Sequence, residues 1–231
     1  MKLLTTKNAK TVKGEGRGWR TGILYLQPCT KLCPFCSKGC KAACLNTAGR
    51  GQMPRTQVSR RRKTEMFFKS FDKFSQVLLN DIRNFVRTNR RNGLQSCVRL
   101  NGTSDVPFEM LFNFEEEPFT DVVMYDYTKN FKRCLKNNNK KYYLLYSRSE
   151  DTKWWQIWLL KILRKNTAVV FKGGLPKRYL GIKVIDGDKD DLRFLDKRGV
   201  IVGLKAKGKA KQDKTGFVVD LTKDLDKGQK K

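Results

Sequence analysis

The sequence predicts an α/β fold, a partial (β/α) barrel of about six or seven mainly parallel strands with helices outside, and three observations carry that expectation. Short β-branched or aromatic runs recur, and each ends in a polar cluster. Two long stretches between them place apolar residues at helical spacing. Strands separated by helices favour right-handed βαβ units, hence parallel pairing.

The strands are expected at 22–27, 97–101, 121–126, 141–147, 167–171, 182–185 and 200–204. A helix is expected over 64–88, where Phe67, Phe71, Phe74, Leu78, Ile82 and Phe85 repeat at helical intervals, and another over 149–164. In the second, Trp154, Trp155 and Trp158 read first as core-facing residues and second as a base-stacking platform. The segments at 182–191 and 200–205 lie too close together for long helices between them. The chain is read as one α/β domain over 18–222 containing a cysteine-rich loop at 29–51. A flexible basic N-terminus at 1–17 and a disordered polar tail at 223–231 are expected to flank it.

Polar clusters follow the strands: Asn101, Thr103, Ser104 and Asp105; Asp126 and Lys129; Ser147, Arg148 and Glu150; Asp186 and Asp188. In a parallel fold every strand delivers its last residue to one face, so these clusters should converge there. Helix capping is the competing reading, because Ser104, Asp105, Thr128 and Ser149 are all good N-cap types.

Fifty Lys and Arg against twenty-two Asp and Glu give a net charge of +28. That excess points to a polyanionic partner, and Arg50, Arg60, Arg61, Arg62 and Lys63, just after the cysteine loop, are the candidate phosphate contacts. Histidine is absent, which excludes imidazole triads, His-zinc deaminases and His-metal nucleases. No apolar run reaches the ~18 residues of a membrane span, and no secretory segment opens the chain, so a soluble intracellular protein is expected. The aspartates 186, 188, 190 and 191 form either an acidic turn or an Mg²⁺ site of a nuclease.

Five of the seven cysteines, Cys29, Cys33, Cys36, Cys40 and Cys44, fall within sixteen positions. Thiolates that converge from one short loop select zinc or iron-sulfur centres, with a disulfide framework disfavoured in a reducing compartment. Zinc would require four of the thiolates, since no histidine is available. Cys97 and Cys134 read as core thiols.

Cys29, Cys33 and Cys36, spaced C-x3-C-x2-C with Phe35 before the third, resemble the signature of the radical S-adenosylmethionine (SAM) superfamily. The resemblance implies a [4Fe-4S] cluster, SAM as cosubstrate, an electron donor and a partial-barrel core. On that resemblance Phe35, Asn101, Thr103, Ser104, Ser147 and Arg148 are the expected cofactor-binding residues, and Asp105, Asp126, Lys129 and Glu150, from the strand-end clusters, are the candidate catalytic residues. The superfamily's Gly-Gly-Glu segment is absent.

A second resemblance covers about residues 1–220. The stretches 39–51, 99–105, 125–129, 147–150, 186–196 and 200–211 resemble a bacteriophage family, the gene-88-protein family. It implies a phage origin and a host-cytoplasm location, brings no activity with it, and centres its pattern on Cys33, Cys40 and Cys44. The expected function is therefore a radical-SAM-like iron-sulfur enzyme acting on nucleic acid or a nucleotide. A zinc-stabilised nucleic-acid-binding protein and an Mg²⁺-dependent nuclease stand as rivals.

Overall fold

The structure is a computed structural model that describes residues 1–8 and 11–222; the tail expected at 223–231 lies outside the described residues. Among them the strands are β1 (Leu4–Thr5), β2 (Trp19–Leu24), β3 (Gln95–Arg99), β4 (Val123–Thr128), β5 (Tyr142–Ser147), β6 (Thr167–Lys172), β7 (Arg178–Tyr179), β8 (Ile182–Asp186), β9 (Ile201–Lys205) and β10 (Val218–Asp220). The helices are α1 (Thr11–Glu15), α2 (Lys38–Ala42), α3 (Pro54–Lys69), α4 (Phe71–Arg91), α5 (Phe131–Lys136) and α6 (Trp154–Ile162).

All seven expected strands form, displaced by two or three residues at most. They line up in the order β2-β3-β4-β5-β6-β9-β8, every neighbouring pair parallel. Antiparallel β1 and β7 border the two ends. The expected barrel does not close: this is an open ten-stranded sheet. The cause is local. Past β6 the connections lack α-helices, and the short β7–β8 hairpin ends the winding where a further βα unit would be needed to bring the edges together.

β5 pairs with only the first part of β6, through Thr167 and Ala168, and β10 takes up the later part, Val170 to Lys172. A segment near the C-terminus is thereby wedged between the carboxyl ends of β5 and β6.

The long expected helix is two helices. Chain direction changes at Ser70, whose φ of −152° and ψ of 64° are not helical. α4 buries Phe74, Leu78, Ile82, Phe85, Val86 and Asn89 at helical intervals, and its apolar face packs with Leu4, Leu24, Val98 and Met124 of the sheet. The stretch 1–17, expected to be flexible, instead contributes β1 and α1: Leu3 and Leu4 are buried in that same core, and both their amides donate to Asp81. Its lysines masked an apolar anchor of only two residues.

The opposite face of the sheet carries a different filling. Cys97 and Tyr125 pack there with Leu192, while Leu145, Ala168 and Val202 pack together alongside. The segment after β8 supplies Asp190, Asp191 and Arg193 to this side, all buried.

Candidate metal centre

The cysteine loop leaves β2 and crosses the carboxyl end of the sheet. Backbone bonds from Leu32 and Cys33 to the Cys29 carbonyl form a turn, and the Asp105 amide donates to the Leu32 carbonyl at 2.8 Å. Thr103 Oγ1 donates to the Leu26 carbonyl at 2.6 Å, and the Cys33 thiol faces the Thr103 carbonyl at 3.8 Å. The start of the loop is thus latched to the loop after β3.

The second half is held by the segment that follows β5. Glu150 Oε1 accepts from the Gly39 amide at 2.7 Å, and Oε2 accepts from Ser37 Oγ at 2.6 Å. Ser37 in turn caps α2 by accepting from the Cys40 amide. Burial acts upward on the Glu150 carboxyl, but the Ser37 and Gly39 bonds outweigh it and hold it below the usual range. Arg148 donates to the carbonyls of Gly216 and Phe217 at 2.8 and 3.0 Å. Gly39 is required by this packing, because a Cβ would stand 2.2 Å from Thr215 Oγ1 and 2.5 Å from Phe217 Cβ. The Ser147–Glu150 segment therefore clamps the cysteine loop to the wedge that precedes β10.

Three of the thiols, Cys33, Cys40 and Cys44, are raised by burial, and Cys36 adds to the rise of each. Burial pushes Cys33 up to about 12, and Cys36, Cys44, Asp105 and Cys40 add to it. Cys40 is raised by burial against the pull of Lys129, with Cys44 and Cys36 contributing upward. Cys44 is raised by burial, with Asn46 and Arg60 pulling it down and Cys36 adding to the rise. Cys36 acts on all three. Cys29 is exposed, as is Phe35. The electrostatic set is therefore Cys33, Cys36, Cys40 and Cys44, which contains the C-x6-C-x3-C trio whole and the C-x3-C-x2-C trio only in part. Among the described residues no three Cys, Asp or Glu side chains are already arranged to hold a metal ion.

Two cations border the thiols. Lys129 Nζ donates to Ser147 Oγ at 2.9 Å and to the Arg148 carbonyl at 2.7 Å, and lies 4.5 Å from the centre of the Phe217 ring. Burial lowers it to about 8, against the opposing pull of Cys40, Asp105 and Glu150. Arg60 lies over Tyr25, donates to Asn46 Oδ1, and is lowered by burial against the support of Tyr25 and Cys44.

Several expected site residues are committed to the scaffold. Asn101 donates to the Val106 carbonyl and accepts from Ser104 Oγ and the Val106 amide. Asp126 accepts from the amides of Leu100 and Asn101 and from the Tyr142 hydroxyl. Asp105 accepts from the Lys129 amide and from Arg133. Of the expected phosphate contacts, Arg50, Arg61 and Arg62 are exposed, whereas Arg60 and Lys63 are buried, Lys63 donating to the Leu3 carbonyl. That corrects their assignment: helical periodicity turns every third or fourth residue of α3 inward, whatever its charge. The aspartates after β8 are paired, Asp190 with Arg17 and Arg193, Asp191 with Arg99, and Asp188 with Lys207.

Ser37 and Tyr25 escaped the sequence reading. Ser37, three residues before Cys40, carried a capping signal; Tyr25 carried none.

A family profile described as gene product 88 matches residues 2–221. Comparison with curated proteins and with solved structures gave no match. Among the described residues no helix is long and apolar enough to cross a membrane.

Proposed function

The chain belongs to the gene product 88 family, a bacteriophage family, and from its thiol loop, since the family carries no activity of its own, we propose that it is an iron-sulfur enzyme of radical-SAM type acting on nucleic acid or a nucleotide. The observation that carries the reading is the four-thiol loop at the carboxyl end of a parallel sheet, the face on which open α/β folds assemble their active sites.

The donor chemistry suits such a group, and the thiols would draw together on binding it. Thiols held protonated by burial and mutual repulsion give up their protons to a metal, and the resulting negative charge meets Lys129 and Arg60. Cys33, Cys40 and Cys44 would supply three ligands, and Cys36 is either a fourth or a spare. When bound, the cluster supplies one-electron reduction of SAM. The remaining work belongs to this chain. Glu150 holds α2 against the sheet, Lys129 keeps a cation beside Cys40, and the Ser104 hydroxyl, in the loop after β3, and the Ser147 hydroxyl, at the last residue of β5, would border the cosubstrate. Arg50, Arg61 and Arg62 offer phosphate contacts outside the sheet end.

A zinc site closed by four thiolates is the second reading, favoured by the participation of four thiols where an open cluster needs three. Anaerobic reconstitution separates the two. The first predicts about four irons per chain with matching sulfide, and 5'-deoxyadenosine on reduction with SAM. A colourless protein with one zinc and no SAM cleavage would overturn it.

A further inference from the structure

α6 does not bury its whole apolar stripe. Ile157 and Leu160 face the core and Trp158 packs against the cluster that contains Ile157 and Phe171, but Trp154 is 67% exposed and Trp155 49% exposed. Both stand at the first turn of the helix, four and five residues after Glu150, the residue that grips the cysteine loop. Trp155 meets Phe131, the first residue of α5, edge to face at 5.7 Å, and Phe131 meets Tyr146 in the same manner. The two exposed indoles thus belong to the same end of the sheet as the thiols, and Trp155 is buttressed by an edge-to-face row of aromatic rings. Lys153 directly precedes Trp154, Lys132 directly follows Phe131, and Lys38 and Lys41 lie on α2, whose Gly39 amide Glu150 holds; all four lysines are exposed, as is Asp151.

We infer that this rim docks single-stranded nucleic acid, unpaired bases stacking on Trp154 and Trp155 while Lys38, Lys41, Lys132 and Lys153 take the phosphates. Stacking rings next to lysines fit a polyanion with free aromatic faces. A protein partner would be expected to meet apolar groups without a surrounding ring of cations, and a duplex keeps its base faces inside. The inference names the substrate class of the proposed enzyme and rests on that reading only for what happens at the thiols.

The test is a fluorescence titration of the full chain with oligothymidine and oligouridine, repeated at several salt concentrations, beside a duplex of equal length. Quenching with a clear preference for the single strands is expected. Trp154→Ala with Trp155→Ala should weaken binding about tenfold or more while leaving the salt slope in place. Trp154→Phe should restore part of the loss. Ile162→Ser, at the far end of the same helix, should change nothing.

Unchanged binding in the double variant, or in Trp154→Ala alone should the double variant fail to fold, would overturn the inference. So would quenching by lipid vesicles but not by oligonucleotide, or a dimer that the tryptophan changes convert to monomer. Metal and sulfide content are measured on the same samples, so loss of binding with the cluster intact counts against this surface alone. Binding that persists in a protein unable to hold iron counts against the enzyme reading alone.

Discussion

Two neighbouring corners of the sheet's carboxyl end are built on opposite terms. At the β3–β4 corner Asn101, Asp105, Asp126 and Arg133 are tied to one another and to the backbone, and each is buried or nearly so. At the β2–β5 corner the cysteine loop is tied down through its backbone and through Ser37, while its thiols are left without comparable partners. The first corner resembles a latch: its polar groups are used up in holding loops together. The second is a presented set, positioned by a clamp whose own carboxylate and guanidinium lie outside the thiol group. The difference teaches that polarity at a strand end does not by itself mark chemistry; what matters is whether a group's bonding capacity is already filled.

The largest effect should come from breaking the latch. Arg133 donates to both oxygens of Glu109 at 2.6 and 2.7 Å, to Asp105 at 2.8 Å and to the Tyr142 hydroxyl at 2.9 Å. Arg133→Ala leaves Asp105 buried without its cation and should cost about 3–5 kcal/mol in denaturant unfolding. A loss below about 1 kcal/mol would mean that this corner is not a latch.

A second test of the same corner is pH. Burial raises the Asp126 carboxyl to about 6, against the opposing pull of Arg99, the Asn101 amide, Arg133 and the Tyr142 bond. Its unfolded value is near 4. Below about pH 4 both states hold the proton and the contribution to stability is complete. Between about pH 4 and 6 the folded state keeps a proton that the unfolded state has released, so about 3 kcal/mol is lost across that window and the loss is complete once pH has passed the folded value. Asp126→Asn should flatten that part of the stability profile relative to the parent chain.

The clamp comes next. Glu150→Ala removes two charge-assisted bonds from α2 at a partly exposed site, so global stability should fall by only about 1–2 kcal/mol. The sharper readout is local. Alkylation of Cys40 should quicken, and metal affinity should drop about 10–100-fold, as when a group that orients ligands is lost. Equal alkylation rates in the two proteins would show that Glu150 does not hold the loop.

Much of the fold was legible because seven β-branched or aromatic runs each have a core face to fill, and periodicity reports that directly. β1, β7 and β10 were not, since two- or three-residue strands carry no period. The α3–α4 break was hidden by continuous helical spacing across Ser70, where neither proline nor glycine stands. The density of cysteines marked the candidate loop, and the strand-end motifs marked the segments that pack around it. What sequence could not separate was Lys63 from Arg62, or Asp126 from Glu150: in each pair the first residue is buried in the scaffold and the second is not, a distinction made by helix phase and by partners distant in the chain.

The smallest expected effect is the most discriminating for the ligand set. Cys29 is exposed, and its carbonyl, not its thiol, accepts the bonds from Leu32 and Cys33 that shape the turn. Cys29→Ser preserves that carbonyl, so stability should stay within about 0.5 kcal/mol and bound metal should match the parent chain. Cys33→Ser, Cys40→Ser and Cys44→Ser should each lose the metal, and Cys36→Ser then decides between three ligands and four. Retention of metal without Cys36 favours a cluster with an open iron; its loss favours a closed tetrathiolate site. Were Cys29→Ser to empty the site instead, the exposed turn would have to fold inward on metal binding, and the contrast between a filled corner and a presented one would apply only to the metal-free chain.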